Sequence, residues 1–222
     1  SAASDVYKGQ KLGCPGETLE TFANGGSCLY LEGSQLAAAA DFLADNLGSV
    51  HLVTIDMGAN DFRNANCIET TVDSDCVDAT GLQIATDLAA ALTVLRDAAG
   101  PDTPIIGMNY YNPYLASWLE DAAGQELAVD AAQAVATLNG VLRDTYETAG
   151  MPVADVALAF DSDNFTDMVM SSLPSPNDIL PANVNNICRY TYMCDAPPRG
   201  PDIHANDTGY TEIANAFLAV TP

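Results

Sequence analysis

The run Val50-His51-Leu52-Val53-Thr54-Ile55-Asp56-Met57 sets apolar, largely β-branched residues almost side by side, then breaks into Gly58-Ala59-Asn60-Asp61. A strand that is apolar on both faces must be covered on both. That is the situation of a central strand in a parallel sheet, not of a half-wetted antiparallel one. The polar turn after it falls beyond the carboxyl end of the strand, where ligands gather in open α/β sheets.

The flanking segments have helical periodicity. Residues 34–47 read as a helix with Ser34 as N-cap and Gly48 just beyond its end. Residues 59–79, rich in asparagine and aspartate, read as a stapled loop. Thr80 and Gln83 form a capping-box pattern opening the next helix, whose buried face carries Ile84, Leu88, Leu92 and Leu95 before Gly100. Pro104 to Tyr110 is a second strand, and Leu127, Ala131, Val135, Leu138 and Leu142 mark a long amphipathic helix ending at Gly150. Val153 to Phe160 is a third strand and 209–219 a closing helix. Residues 161–201 contain Pro174, Pro176, Pro181, Pro197, Pro198 and Pro201, and read as a long disulfide-pinned loop of the kind that lines binding sites. Strands alternating with helices predict an α/β fold, a three-layer α/β/α sandwich with a mainly parallel sheet, as one domain over 1–222.

Composition narrows the partners. With 7 basic residues against 30 acidic ones, the formal charge of −23 repels nucleic acids and anionic membranes. No apolar run reaches the ~18 residues that span a bilayer. Ser1 opens a polar segment, so the chain reads as a mature or trimmed product.

The six cysteines fall into close couples, Cys14 with Cys28, Cys67 with Cys76 and Cys188 with Cys194, each bracketing a turn-rich stretch. Local disulfides are the expectation, because zinc sites want CxxC spacing or nearby histidines. Such staples belong to an oxidising compartment and hence to a secreted protein. Asp73-x-Asp75-x-x-Asp78 has part of a calcium-loop spacing but lacks its glycine and closing glutamate. Asn164-Phe-Thr and Asn206-Asp-Thr match the glycosylation pattern.

Two further motifs flank the Asn60 turn: Gly13-Cys14-Pro15-Gly16-Glu17-Thr18 before it, and Asp202-Ile203-His204 with Gly209-Tyr210-x-x-Ile213-Ala214 after it. In this order the three resemble blocks of the SGNH (GDSL-type) hydrolase superfamily, and especially its secreted, disulfide-containing lipase and esterase members. The resemblance implies an SGNH/flavodoxin-like sheet and hydrolysis of a carboxylic ester through an acyl-serine, without metal or organic cofactor. It makes the Asn60 side-chain amide and the Gly16 backbone N–H the oxyanion donors, each kind of contact being worth ~3 kcal/mol of barrier. It makes His204 the general base, whereas His51 falls within the strand pattern and suits a structural role.

The family's acid usually stands three residues before the histidine, a place held here by Pro201. Asp202, two residues before, is the candidate orienter, with a main-chain carbonyl as the other option. The family's Gly-Asp-Ser block precedes the Gly16 block by several tens of residues and is not in this chain. Ser1 and Ser4 follow no strand, and Ser27 and Ser34 fit a loop and a helix cap.

The expectation is therefore a domain without its first strand and nucleophile, the missing part lost or held on another chain. The implied partners are an ester substrate (lipid, small acyl ester, polyester or acetylated glycan) and a complementing N-terminal segment. A non-catalytic lipid- or carbohydrate-binding protein using the same cleft is the rival expectation.

Overall fold

The computed structural model describes residues 9–26, 28–173 and 179–222. Ser1, Ser4, Ser27, Pro174 and Pro176 lie outside the described residues. The protein is mixed α/β, with a small parallel sheet in the order β1-β2-β3, where β1 is Val53–Ile55, β2 Ile105–Met108 and β3 Val153–Ala154. Val53 pairs with Ile105 and Ile55 with Gly107, and Gly107 and Met108 in turn pair with Val153 and Ala154.

The central strand is thus β2, not the Val50–Met57 run. β1 is three residues long and pairs only with β2 among the described residues. His51 and Thr54 are exposed, so the expected structural histidine is a surface residue ahead of the strand. β2 shows the both-faces burial expected of the other: its four residues are all buried. Neighbours Ile105 and Ile106 belong to separate apolar clusters because successive side chains point to opposite faces. Ile105 packs with Leu88, Leu92, Leu142 and Tyr146, and Ile106 with Val156, Phe160 and Ile187.

The helices before β1 are α1 (Leu19–Asn24), capped by Thr18, and α2 (Gln35–Asp45), capped by the expected Ser34. After β1, the supposed loop is mostly helical. α3 (Ala59–Asn64) starts directly at the polar turn, and α4 (Ser74–Ala99) starts six residues before Thr80. Asp73 takes the cap by accepting the Cys76 N–H at 3.0 Å, and the Cys67–Cys76 disulfide pins this first turn.

A 3₁₀ helix (Pro113–Leu119) and α5 (Ala122–Thr148, capped by Asp121) follow β2. The expected third strand stops after two residues, because Asp155 accepts the Leu158 N–H and caps α6 (Val156–Ala159). The expected long loop also carries regular structure. β4 (Met168–Met170) and β5 (Ile179–Pro181) form an antiparallel pair leading into α7 (Ala182–Tyr190). β6 (Thr191–Tyr192) then pairs antiparallel with β7 (Asp202–Ala205), and α8 (Asp207–Val220) closes the chain.

All three disulfides form as the spacing suggested, Cys14–Cys28, Cys67–Cys76 and Cys188–Cys194, and are of the kind made in oxidising compartments. Among the described residues no helix is long and apolar enough to cross a membrane.

At Gly107 the helix α5 packs closely on the sheet. A Cβ there would lie 2.5 Å from ring atoms of the fully buried Tyr146 on α5. Gly107→Ala is expected to cost about 1–3 kcal/mol through overpacking, read as a lower urea midpoint. In a Tyr146→Leu background the same change is expected to cost less, since the clashing ring is gone. Equal costs in both backgrounds would refute this packing.

Candidate functional site

α3 begins where β1 ends because Gly58 adopts a left-handed φ of +112°, which turns the chain sharply without a Cβ penalty. The turn presents Asn60 and Asp61 to the loop carrying Gly16. Asn60 Nδ2 donates to the Glu17 carbonyl at 3.0 Å. Both Asp61 carboxylate oxygens accept the Leu19 N–H, at 3.0 and 3.1 Å. Leu19 is the first residue of α1, so Asp61 also places negative charge at the N-terminus of that helix. Asp61 thus holds the loop by hydrogen bonds. Its carboxyl nonetheless sits above its ordinary pKa, because burial outweighs the bond from Leu19.

Gly16 is exposed with φ +78°, and a Cβ there would meet nothing within 4 Å. Glycine is therefore required by the backbone angle and not by a close neighbour. The next residue is unusual. Glu17 is only 4% exposed, and neither of its carboxylate oxygens has a partner among the described residues. A buried carboxylate without a bond is costly, and such groups call for an explanation.

The histidine segment is built on β7. In a strand, residues i and i+2 share a face, so Asp202 and His204 lie side by side. His204 Nδ1 meets Asp202 Oδ1 at 2.5 Å, and the same oxygen accepts the His204 backbone N–H at 3.0 Å. The backbone N–H first and the ring second hold the Asp202 carboxyl below its ordinary pKa. The two-residue spacing therefore brings the pair into contact without the usual three. His204's side chain is 70% exposed, and its Nε2 makes no hydrogen bond among the described residues.

β2 connects these pieces. The Tyr111 hydroxyl donates to the Ile203 carbonyl at 2.8 Å, anchoring the residue between Asp202 and His204. Tyr111 itself stacks on Phe160 with ring centroids 4.5 Å apart. Asn139 on α5 grips Tyr110 at both ends, accepting its N–H at 2.9 Å and donating to its carbonyl at 2.8 Å. Buried Asn109 donates to Asp155 and accepts from the Ala157 N–H. These asparagines went unnoticed in the sequence, although Asn139 is a polar residue on the apolar face of α5, four residues after Val135.

A cavity of about 190 Å³ opens between these parts. Phe62, Val135 and Leu138 supply buried apolar lining, Tyr110 and Tyr114 are half-buried, and Asn60, Arg63 and Ile203 complete it. The cavity thus touches both the Asn60 turn and the histidine segment, while Gly16 and His204 themselves stand outside its lining. A broader groove of about 980 Å³ runs past α1, α3 and α4, but it offers no histidine. No cluster of three or more metal-ligating side chains exists among the described residues.

Both sequons are engaged in folding. Asn164 Nδ2 bonds Asp161 and Asp167, and Asn206 Nδ2 bonds the carbonyls of Arg189 and Thr191 while its Oδ1 caps α8.

No protein-family model, curated protein or solved structure matches this chain.

Asp61→Ala is expected to lose about 1–2 kcal/mol by urea unfolding, the worth of a charge-assisted bond less its desolvation. Asp61→Asn gives the sign test. Because burial raises the folded-state pKa, the folded protein takes up the Asp61 proton before the unfolded chain does. Wild-type stability relative to Asp61→Asn should therefore rise as pH falls from neutral through that raised value. A fall over this range would contradict the burial of Asp61.

Proposed function

We propose that this chain is the body of an SGNH-type carboxylic-ester hydrolase with a three-layer α/β/α architecture, working outside the cell. The observation that carries the reading is the Asp202–His204 pair, whose ring is held through Nδ1 while Nε2 has no partner among the described residues. Support for the layers comes from apolar clusters on both sides of β2. Support for an extracellular setting comes from the three disulfides.

In this reading a serine hydroxyl attacks the ester carbonyl and gives its proton to His204 Nε2. The negative oxygen of the intermediate is met by the Asn60 amide and the Gly16 N–H. The C–O bond to the alcohol breaks, and the alkoxide leaves with the proton from Nε2. Water then attacks the acyl group and gives one proton to Nε2, the acyl–serine bond breaks as that proton returns to the serine, and the carboxylic acid leaves and ionises in solvent. Asp202 keeps the proton of the neutral ring on Nδ1 and steadies the imidazolium between the two halves.

The serine would come from a strand-forming segment carrying the Gly-Asp-Ser block and pairing with the free edge of β1. Three features favour such a partner. Among the described residues β1 has a neighbour on one side only and the Glu17 carboxylate has no donor, while Leu29 and Leu31 are fully exposed.

The test is turnover of p-nitrophenyl butyrate. The chain alone is expected to be inert, and the chain joined to the Gly-Asp-Ser segment active. In the active form His204→Ala should abolish turnover, and Asn60→Ala should lower kcat by about 10²–10³-fold. Activity indifferent to His204→Ala would overturn the proposal. Inertness of the completed, folded domain would favour a protein that binds lipid or carbohydrate in the same cleft.

A further inference from the structure

Arg63 is the one cation in the lining of the 190 Å³ cavity. Every other described arginine has a partner. Arg96 donates to the Gly100 and Thr103 carbonyls, Arg143 pairs with Asp155, Arg199 pairs with Asp195, and Arg189 lies over the Tyr190 ring. The Arg63 side chain makes no hydrogen bond, ion pair or ring contact among the described residues, its carbonyl alone accepting bonds at the end of α3. Its position in the last turn of α3 gives it a favourable helix-end charge, but that needs no particular direction of the side chain. Its field is felt on both sides: burial raises the Tyr114 hydroxyl and Arg63 partly opposes that rise, while Asp202, lowered first by its bonds with His204, is lowered slightly further by Arg63.

The remaining lining fits an aliphatic group. Phe62, Val135 and Leu138 are at most 5% exposed, and Met193 and Ile203 extend the apolar wall. The volume is below the ~300 Å³ at which pockets for drug-sized ligands begin, so a long chain does not fit. Asn60 adds an amide beside the guanidinium. One of its hydrogens goes to the Glu17 carbonyl, and the rest of the group is unengaged among the described residues. An apolar end, a planar two-donor cation and an amide together match one ligand chemistry, a short aliphatic tail ending in a carboxylate.

We infer that this cavity binds short-chain monocarboxylates, with the tail among Phe62, Val135 and Leu138 and the carboxylate on Arg63. The inference rests on the hydrolase reading only in naming the carboxylate as the acyl product of the reaction. It makes Arg63 a specificity residue for short acyl groups and gives the molecule a local anion site despite its formal charge of −23.

The experiment titrates butyrate, butyramide and octanoate into the chain as it stands, following methyl resonances of Val135, Leu138 and Met193 by NMR. Butyrate is expected to shift all three saturably and to bind on the order of tenfold more tightly than butyramide, which has its shape without its charge. Octanoate should bind more weakly than butyrate, because its tail exceeds the cavity. Arg63→Gln, at an exposed position, should leave the amide spectrum folded and erase the preference for butyrate over butyramide. Equal binding of butyrate and butyramide by the wild type would overturn the inference, as would unchanged butyrate affinity in Arg63→Gln.

The two proposals fail separately. Butyrate binding without ester turnover by the completed domain removes the hydrolase and leaves the carboxylate site. Turnover without butyrate binding does the reverse.

Discussion

The junction of the Gly16 loop with the start of α3 rests on one carboxylate and one amide. Asp61 takes the Leu19 N–H with both oxygens, and Asn60 holds the Glu17 carbonyl. These bonds join residues more than forty positions apart, and they fix α1 against the end of β1. The Cys14–Cys28 disulfide and the Tyr30 hydroxyl on the Leu12 carbonyl hold the Gly16 loop to its own neighbours, whereas these bonds tie it to the turn after β1. The cost is visible in Asp61, whose burial weighs more than the hydrogen bond it accepts. The arrangement is one of position more than of net stability, as is common where polar groups are buried near a cleft.

The other half of the site is positioned by different means. His204 is on a two-residue-wide antiparallel ribbon outside the main sheet, yet Tyr111 ties that ribbon to the carboxyl end of β2. Asn139 does the same for Tyr110 from the helix side. β2 is therefore the common reference. Its residues are buried on both faces, and the segment just beyond it sends side chains or accepts bonds from β7, α5 and α6.

The four longest helices, α2, α4, α5 and α8, were legible in the sequence, and the shorter ones were not. Ser34 caps α2, Ala131, Val135, Leu138 and Leu142 of α5 are buried, and the last helix, Asp207–Val220, covers the expected 209–219. The strands were not. Strand length depends on which neighbours pair, so the eight-residue apolar run shrinks to three residues where, among the described residues, one neighbour pairs with it. Asp155 hid inside an apolar run and converted a predicted strand into a cap and a short helix. Asp73 likewise moved the start of α4 forward past a capping-box pattern that the structure does not use. At the site, spacing pointed to Asp202 and His204 but could not decide whether they touch. Arg63 was invisible, because a lone arginine near a helix end has an ordinary reading until its neighbours are known to be a cavity.

The engaged asparagines carry a practical consequence. A sugar on Asn206 would occupy the very nitrogen that bonds the carbonyls of Arg189 and Thr191, and oligosaccharide transfer acts on chains before they fold. A eukaryotic secretory host would therefore sort its output into unmodified molecules that close α8 onto the histidine ribbon and modified ones that do not. Bacterial periplasmic production supplies the oxidising chemistry for the three staples without that division.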